Sequence, residues 1–307
     1  MLPALGVASI VAPLCWPPTR ALADTAQSST AESAENETAP PRRYPGKRLY
    51  WDPKFDRMDT PEMVMTGVAA SIALATNVMH PLNTGWKGGF FVDDQVRSAL
   101  RLPTLDARLE VRSATDVGLA LMTTYPILVD SIIVAYWYRG SDDVALQMAL
   151  IDAEAFAITG AIEGTANILS GRERPYGQDC GKSVPSNSTD CAFDTRYRTF
   201  FSGHAAVSFT AAALICAHHE ELDLFESSAD HVACATGFVA AAAIGTLRIV
   251  GDAHYFSDVL VGALVGTTVG LGVPLLHHYK RASDAGKSAF RMNLLPGLTG
   301  AQVVGTF

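Results

Sequence analysis

The chain has 307 residues, enough for one large domain or two small ones, of which 49% are hydrophobic and 18% charged. That is apolar for a soluble domain without being apolar throughout. A net charge of −8 with no dense basic patch argues against nucleic acid as a partner.

Residues 1–23 combine a short apolar run, Leu5–Leu14, with Ala21-Leu22-Ala23, which has the small–x–small form of a signal cleavage site. No positive charge precedes the run, so the segment reads as a cleaved export signal or a retained anchor. Residues 24–43 are rich in Ser, Thr, Ala, Glu and Pro and read as a disordered linker. Tyr44–Thr60 adds Trp51, Phe55 and Met58 among charges and is expected to pack loosely on the domain that follows, residues 61–280. There Met63–Met79 is an apolar helix stopped by Pro81. Trp86–Arg112 is mixed, with Asp93-Asp94 capping a short helix broken by Pro103. Thr115-Asp116 reads as the cap of a long apolar helix through Tyr138, interrupted by Pro126. Asp142-Asp143 reads as the cap of Val144–Ser170, whose Asp152, Glu154 and Glu163 keep it from facing lipid on all sides. Ala205–Ala217, Val232–Ile244 and Val259–Gly272 complete an all-α bundle of about six core helices. In the tail, residues 281–307, only Gly300–Phe307 is strand-like.

Val117–Tyr138, Val232–Val250 and Phe256–Leu276 approach the roughly 20 residues needed to span a bilayer. The acidic stretch Glu220–His231 is unlike a basic cytoplasmic loop. Membrane association is narrowly favoured over a soluble exported protein. Cys180 and Cys191 flank a polar loop and are expected to form a disulfide after export, whereas Cys216 and Cys234 lie in apolar helices and read as buried free thiols. The eight His residues form no metal-ligand spacing. The pairs His218-His219 and His277-His278 end apolar runs, where their charge would complement a helix dipole.

Three short stretches carry the candidate chemistry. Ser170–Tyr176 places Arg172 and Arg174 at a helix exit ended by Pro175. In Thr199–His204, Ser202 is a natural N-cap, Gly203 allows close approach, and His204 sits on the first helical turn, where backbone N–H groups favour an anion. Arg248, His254 and Asp258 surround a break at Gly251-Asp252. With a helix starting near Ala253, His254 and Asp258 would be i and i+4 on one face, with the carboxylate orienting the imidazole. Each stretch alone also fits an ordinary cap, a surface pair or dipole complementation.

Together they resemble the type 2 phosphatidic acid phosphatase and vanadium haloperoxidase superfamily. Its motifs are Lys, six residues, Arg-Pro; then Pro-Ser-Gly-His; then Ser-Arg, five residues, His, three residues, Asp. Here Arg174-Pro175, Ser202-Gly203-His204 and Arg248, His254, Asp258 match in order and spacing. Asn167 stands at the Lys position, Phe201 at the Pro position and Leu247 at the Ser position. Asn167 carries no charge, so phosphate stabilisation would be weaker unless Arg172 or Lys182 substitutes. The resemblance implies a phosphatase without metal or other cofactor. In that role His254 is the nucleophile that becomes phosphohistidine, Asp258 orients it and His204 is the proton donor. Arg174, Arg248, Ser202 and Gly203 would hold the phosphoryl oxygens. The substrate implied is a phosphorylated lipid or a small phosphomonoester, at a site facing the periplasm from the cell envelope. A vanadate-dependent haloperoxidase and a non-catalytic membrane or scaffold homologue weakened by Asn167 are the alternatives.

Overall fold

A computed structural model describes residues 45–82, 84–279, 291–297 and 300–306. The expected export segment, the linker 24–43 and Cys15 lie outside the described residues. The helices are α1 (Thr60–Val78), α2 (Asp93–Leu100), α3 (Leu105–Thr124), α4 (Asp142–Ser170), the one-turn α5 (Phe193–Arg196), α6 (Gly203–Leu222), α7 (Ala229–Val250) and α8 (Phe256–Gly272). The tail contributes an antiparallel pair, β1 (Arg291–Gly297) and β2 (Gly300–Thr306), of which only the second was legible in sequence.

Both internal prolines are absorbed rather than ending their helices. After Pro126 and Pro274, α3 and α8 continue to Tyr138 and His278 with wider winding, and Arg139 N–H and Tyr279 N–H bond back five residues, to Val134 and Pro274. The start of α3 differs from expectation. Its cap is Thr104, whose hydroxyl accepts from Ala107 N–H, and Thr115 and Asp116 lie mid-helix. Arg108, Arg112 and Thr115 turn inward there, so a buried polar face hid the helical period.

Six long helices run in alternating directions. The segments 79–104, 171–202 and 251–255 gather at one end, and Pro45–Asp59, 139–141 and 223–228 at the other. Residues 45–59 are more than a loose appendage, because Trp51 and Phe55 are buried with Tyr279 in the main apolar core. That end also holds a polar layer. His218 lies between Asp152 and Tyr279, His219 between Asp130 and Asp230, and His278 against Glu154. These His residues are therefore buried partners of carboxylates rather than dipole-complementing helix ends.

Helix α6 packs most closely on α8, where Gly262, Gly266 and Gly270 form a smooth stripe. Cys216 and Cys234 are not free thiols. Helices α6 and α7 meet through small residues such as Ala212 and Gly237, and the two cysteines are bonded with Cα atoms 4.2 Å apart. Cys180 and Cys191 are also bonded, at 5.7 Å. A Cβ at Gly266 would run into the Ala206 carbonyl, which is backbone and cannot swing away. Gly266→Ala should therefore destabilise the bundle by about 1–3 kcal/mol. The thermal midpoint in detergent measures this, and an unchanged midpoint would contradict the close α6–α8 seam.

Candidate active site

The Gly251–Tyr255 turn is fixed from both sides by buried charge. Asp252, fully buried with φ of 60°, takes Arg97 through Nε at 2.7 Å, Arg101 through Nε at 2.8 Å and Arg108 through Nη1 at 3.1 Å. Arg112 Nε donates to the Gly251 carbonyl at 2.6 Å. On the other side Arg172 is enclosed between the Trp86 and Tyr255 rings, 4.5 and 4.3 Å from their centroids. It donates to Asp93 at 2.8 Å and to Asp258 at 2.6 Å. Arg172 is thus committed to two carboxylates and does not serve the anion site. Lys182 lies exposed on the disulfide-closed loop.

This turn places His254 just before α8 rather than on it, since α8 begins at Phe256. Asp258 is then the third helical residue, accepting from the Tyr255 N–H at 2.8 Å as a cap, and its Oδ2 stays 3.9 Å from His254 Nδ1. The link between the two runs through Thr199, which the sequence did not single out. Thr199 Oγ1 donates to Asp258 at 2.8 Å, while His254 Nδ1 lies 3.0 Å from the Thr199 carbonyl and 3.1 Å from its hydroxyl. A carbonyl only accepts, so Nδ1 carries the proton and Nε2 is left as the basic nitrogen. Burial first, then Arg174, Arg248 and His204, hold His254 well below the usual imidazole range.

The second stretch folds as its sequence suggests. Ser202 caps α6, its hydroxyl accepting from Ala205 N–H at 3.3 Å. Ser202 N–H donates to the Asp258 carbonyl at 3.1 Å, tying the start of α6 to the start of α8. A Cβ at Gly203 would come within 2.8 Å of the Glu163 carboxylate, the far end of a side chain that can move aside. Asn167 does not reach the anion site as an extra donor. Its amide donates to Glu163 at 2.5 Å and to the Phe201 carbonyl at 3.2 Å, so it holds the capping loop.

His204 bonds through Nε2 to Asp116 on α3 at 2.7 Å, a partner the sequence reading missed because it took Asp116 for a cap. Burial, then Arg248, pulls His204 down to about 4, with Asp116 opposing. Arg248 Nη1 donates to Thr115 at 3.0 Å and Asp116 at 3.3 Å. Arg174 Nη1 reaches the Ala253 carbonyl at 3.5 Å. The Nε atoms of Arg174 and Arg248 are buried with no acceptor, which suits an incoming anion. Arg174, Arg248, His204 and His254 thus converge where the first amides of α6 open.

Residues 149–282, which contain all three stretches, match the PAP2 superfamily. That segment is less than half of the chain, and the family match is confined to it. The chain is 28% identical over 145 residues to a lipid A 1-phosphatase of Porphyromonas gingivalis, covering 47% of its own length. The match spans only 27% of that relative's length. No solved structure matches the chain significantly. Within this segment the tautomer of His254 is directly observable. A ring held below its usual range stays neutral as pH falls through 6.5, so ring ¹⁵N NMR should show Nδ1 protonated and Nε2 bare at pH 6. A doubly protonated ring at that pH would contradict the site.

Proposed function

We propose that the chain is a metal-independent phosphatase acting on a phosphomonoester or diphosphate of a lipid through a phosphohistidine. One arrangement carries the reading. A neutral imidazole, anchored by its Nδ1–H, faces two guanidinium groups with a second imidazole opposite. Phosphoryl oxygens would accept from Arg174, Arg248 and the first amides of α6. His254 Nε2 attacks phosphorus, and the N–P bond forms as the P–O ester bond breaks. His204 gives its proton to the leaving alkoxide. Water then attacks phosphorus, His204 takes its proton, and the N–P bond breaks to release phosphate. The Thr199 carbonyl, and Asp258 through the Thr199 hydroxyl, would stabilise the positive phosphorylated ring. The name of the relative, a lipid A 1-phosphatase, supports a lipid phosphate as substrate.

Asp116 has a specific task in this scheme. In the free site burial and Arg248 leave His204 neutral, and the phosphate dianion together with Asp116 would restore its proton. His254→Ala should lower turnover by roughly 10³-fold or more, because covalent catalysis has no substitute group. His204→Ala and Asp116→Asn should slow alkyl phosphates far more than aryl phosphates, whose leaving oxygen needs little protonation. Phosphate release from both substrate types measures these effects. A His254→Ala protein with near-normal turnover, or equal losses on both leaving groups, would contradict the assignment.

Four helical stretches, 105–138, 142–179, 229–250 and 256–278, are long and apolar enough to cross a membrane, which supports membrane association. We place the active-site end toward the oxidising side of that membrane, because the Cys180–Cys191 disulfide closes a polar interhelical loop there, whereas the Cys216–Cys234 bond lies within the α6–α7 helix pair. Pro45 and Tyr279 then lie on the opposite side. Cysteine introduced at Lys87 should label from outside intact cells, and cysteine at Lys54 only after permeabilisation. The reverse, which a cleaved export signal ahead of an inward-facing site would give, contradicts this orientation.

A further inference from the structure

Below the catalytic mouth, α3 and α7 part to form an apolar groove of about 390 Å³. Its walls include Leu121, Met122 and Tyr125 on one side and Thr236 and Ala240 on the other, and it ends near Phe225. No charged side chain lines it. The same two helices close the catalytic mouth, where Arg248 bonds Asp116 and Asp116 bonds His204. Helix α3 runs away from the mouth as numbers rise and α7 as they fall, with Gly118 against Ile244 between mouth and groove. Leu121 is five residues beyond Asp116 and Ala240 eight before Arg248, so the groove starts roughly 8–12 Å below the charged pair.

We propose that this α3–α7 groove holds the hydrocarbon tail of the phosphorylated substrate while its phosphate occupies the site at Arg174, Arg248 and His204, an inference that rests on the phosphatase reading. Three observations select that occupant. Both walls belong to membrane-length apolar stretches, so the groove lies at hydrocarbon depth. Leu121 and Val232 are 66% and 62% exposed, so the groove opens sideways toward lipid. His204 and Asp116, roughly 8–12 Å above the groove on the same side of the bundle, are also open to solvent, so the head of one amphiphile can sit at the charged pair while its tail passes over the Gly118–Ile244 contact into the groove. Small residues on α7, Ala233, Gly237 and Ala240, make the groove deep enough for a chain.

The test uses the full chain in lipid nanodiscs and a long-chain alkylphosphonate carrying a diazirine at the chain end. Photolabel should appear on residues 121–125 or 229–240 and be displaced by inorganic phosphate. Label spread over the lipid-facing surface, label at the aromatic groove of Trp86, Phe90 and Phe200, or label insensitive to phosphate would overturn the proposal. In parallel, Ala240→Trp, which fills the groove, should raise KM for a long-chain alkyl phosphate by roughly tenfold while p-nitrophenyl phosphate hydrolysis barely changes. Val239→Trp, on the outward face of the same helix and 70% exposed, should change neither. Equal effects of Ala240→Trp on both substrates would also overturn it. If the unaltered protein hydrolyses neither substrate, the phosphatase reading fails, and phosphate-sensitive labelling still decides the groove.

Discussion

Everything at the active end depends on one buried cation. Arg172 has no solvent exposure and is shared between Asp93, at the start of α2, and Asp258, at the start of α8. A lone charge there would be costly, and two carboxylates without it costlier, so the three groups fold together or not at all. Ser257 completes the clasp by bonding Asp93 through its backbone N–H and its hydroxyl. Once Asp258 is fixed, its second oxygen fixes Thr199 and the Tyr255 amide, and Thr199 fixes the His254 ring. The His254 tautomer is thus set through a relay rather than by a carboxylate touching the ring. The Asp252 hub does the same from the other side, using three arginines from α2 and α3 and the segment between them.

How much of this was legible in sequence follows from what each residue needed. The all-α architecture and the ends of α1 and α6 were readable, because Pro81 and the Ser202 cap act within a few residues. In α4 the cap position is instead Ser141, and Asp142 and Asp143, read as its cap, are its first helical residues, paired with Arg48 and Arg57. The convergence of Arg174, His204, Arg248 and His254 was readable from motif spacing. Thr199 and Asp116 were not, because each acts on a partner more than 50 positions away and neither has an unusual local pattern. The α3 start was missed for a related reason. Arg108 and Arg112 look like surface charges until the buried Asp252 and the Gly251 carbonyl that receive them are seen. Cys216 and Cys234 were misread because helix pairing, not sequence separation, brings them together.

The exchange at the Lys position also makes physical sense in the structure. Asn167 and Glu163 lie one helical turn apart, and Asn167 reaches across to the Phe201 carbonyl. That amide stabilises the loop entering α6, and in the proposed reaction Arg174 and Arg248 would supply the charge facing the phosphate. In the proposed chemistry a pocket with two guanidinium groups and a helix start compensates for the missing ammonium. Dependence on Arg174 and Arg248 should accordingly be steep.

The central claim is that His254 attacks through Nε2 while Thr199 holds the other nitrogen. Rapid acid-free quenching of the full chain with a ³²P-labelled lipid phosphate, followed by peptide mapping, tests it most directly. The account requires a base-stable, acid-labile phosphate on His254 at its Nε2 nitrogen, with Thr199→Val slowing its formation but not moving it. Label on His204, on a hydroxyl or carboxylate side chain, or on the Nδ1 nitrogen of His254 would contradict it.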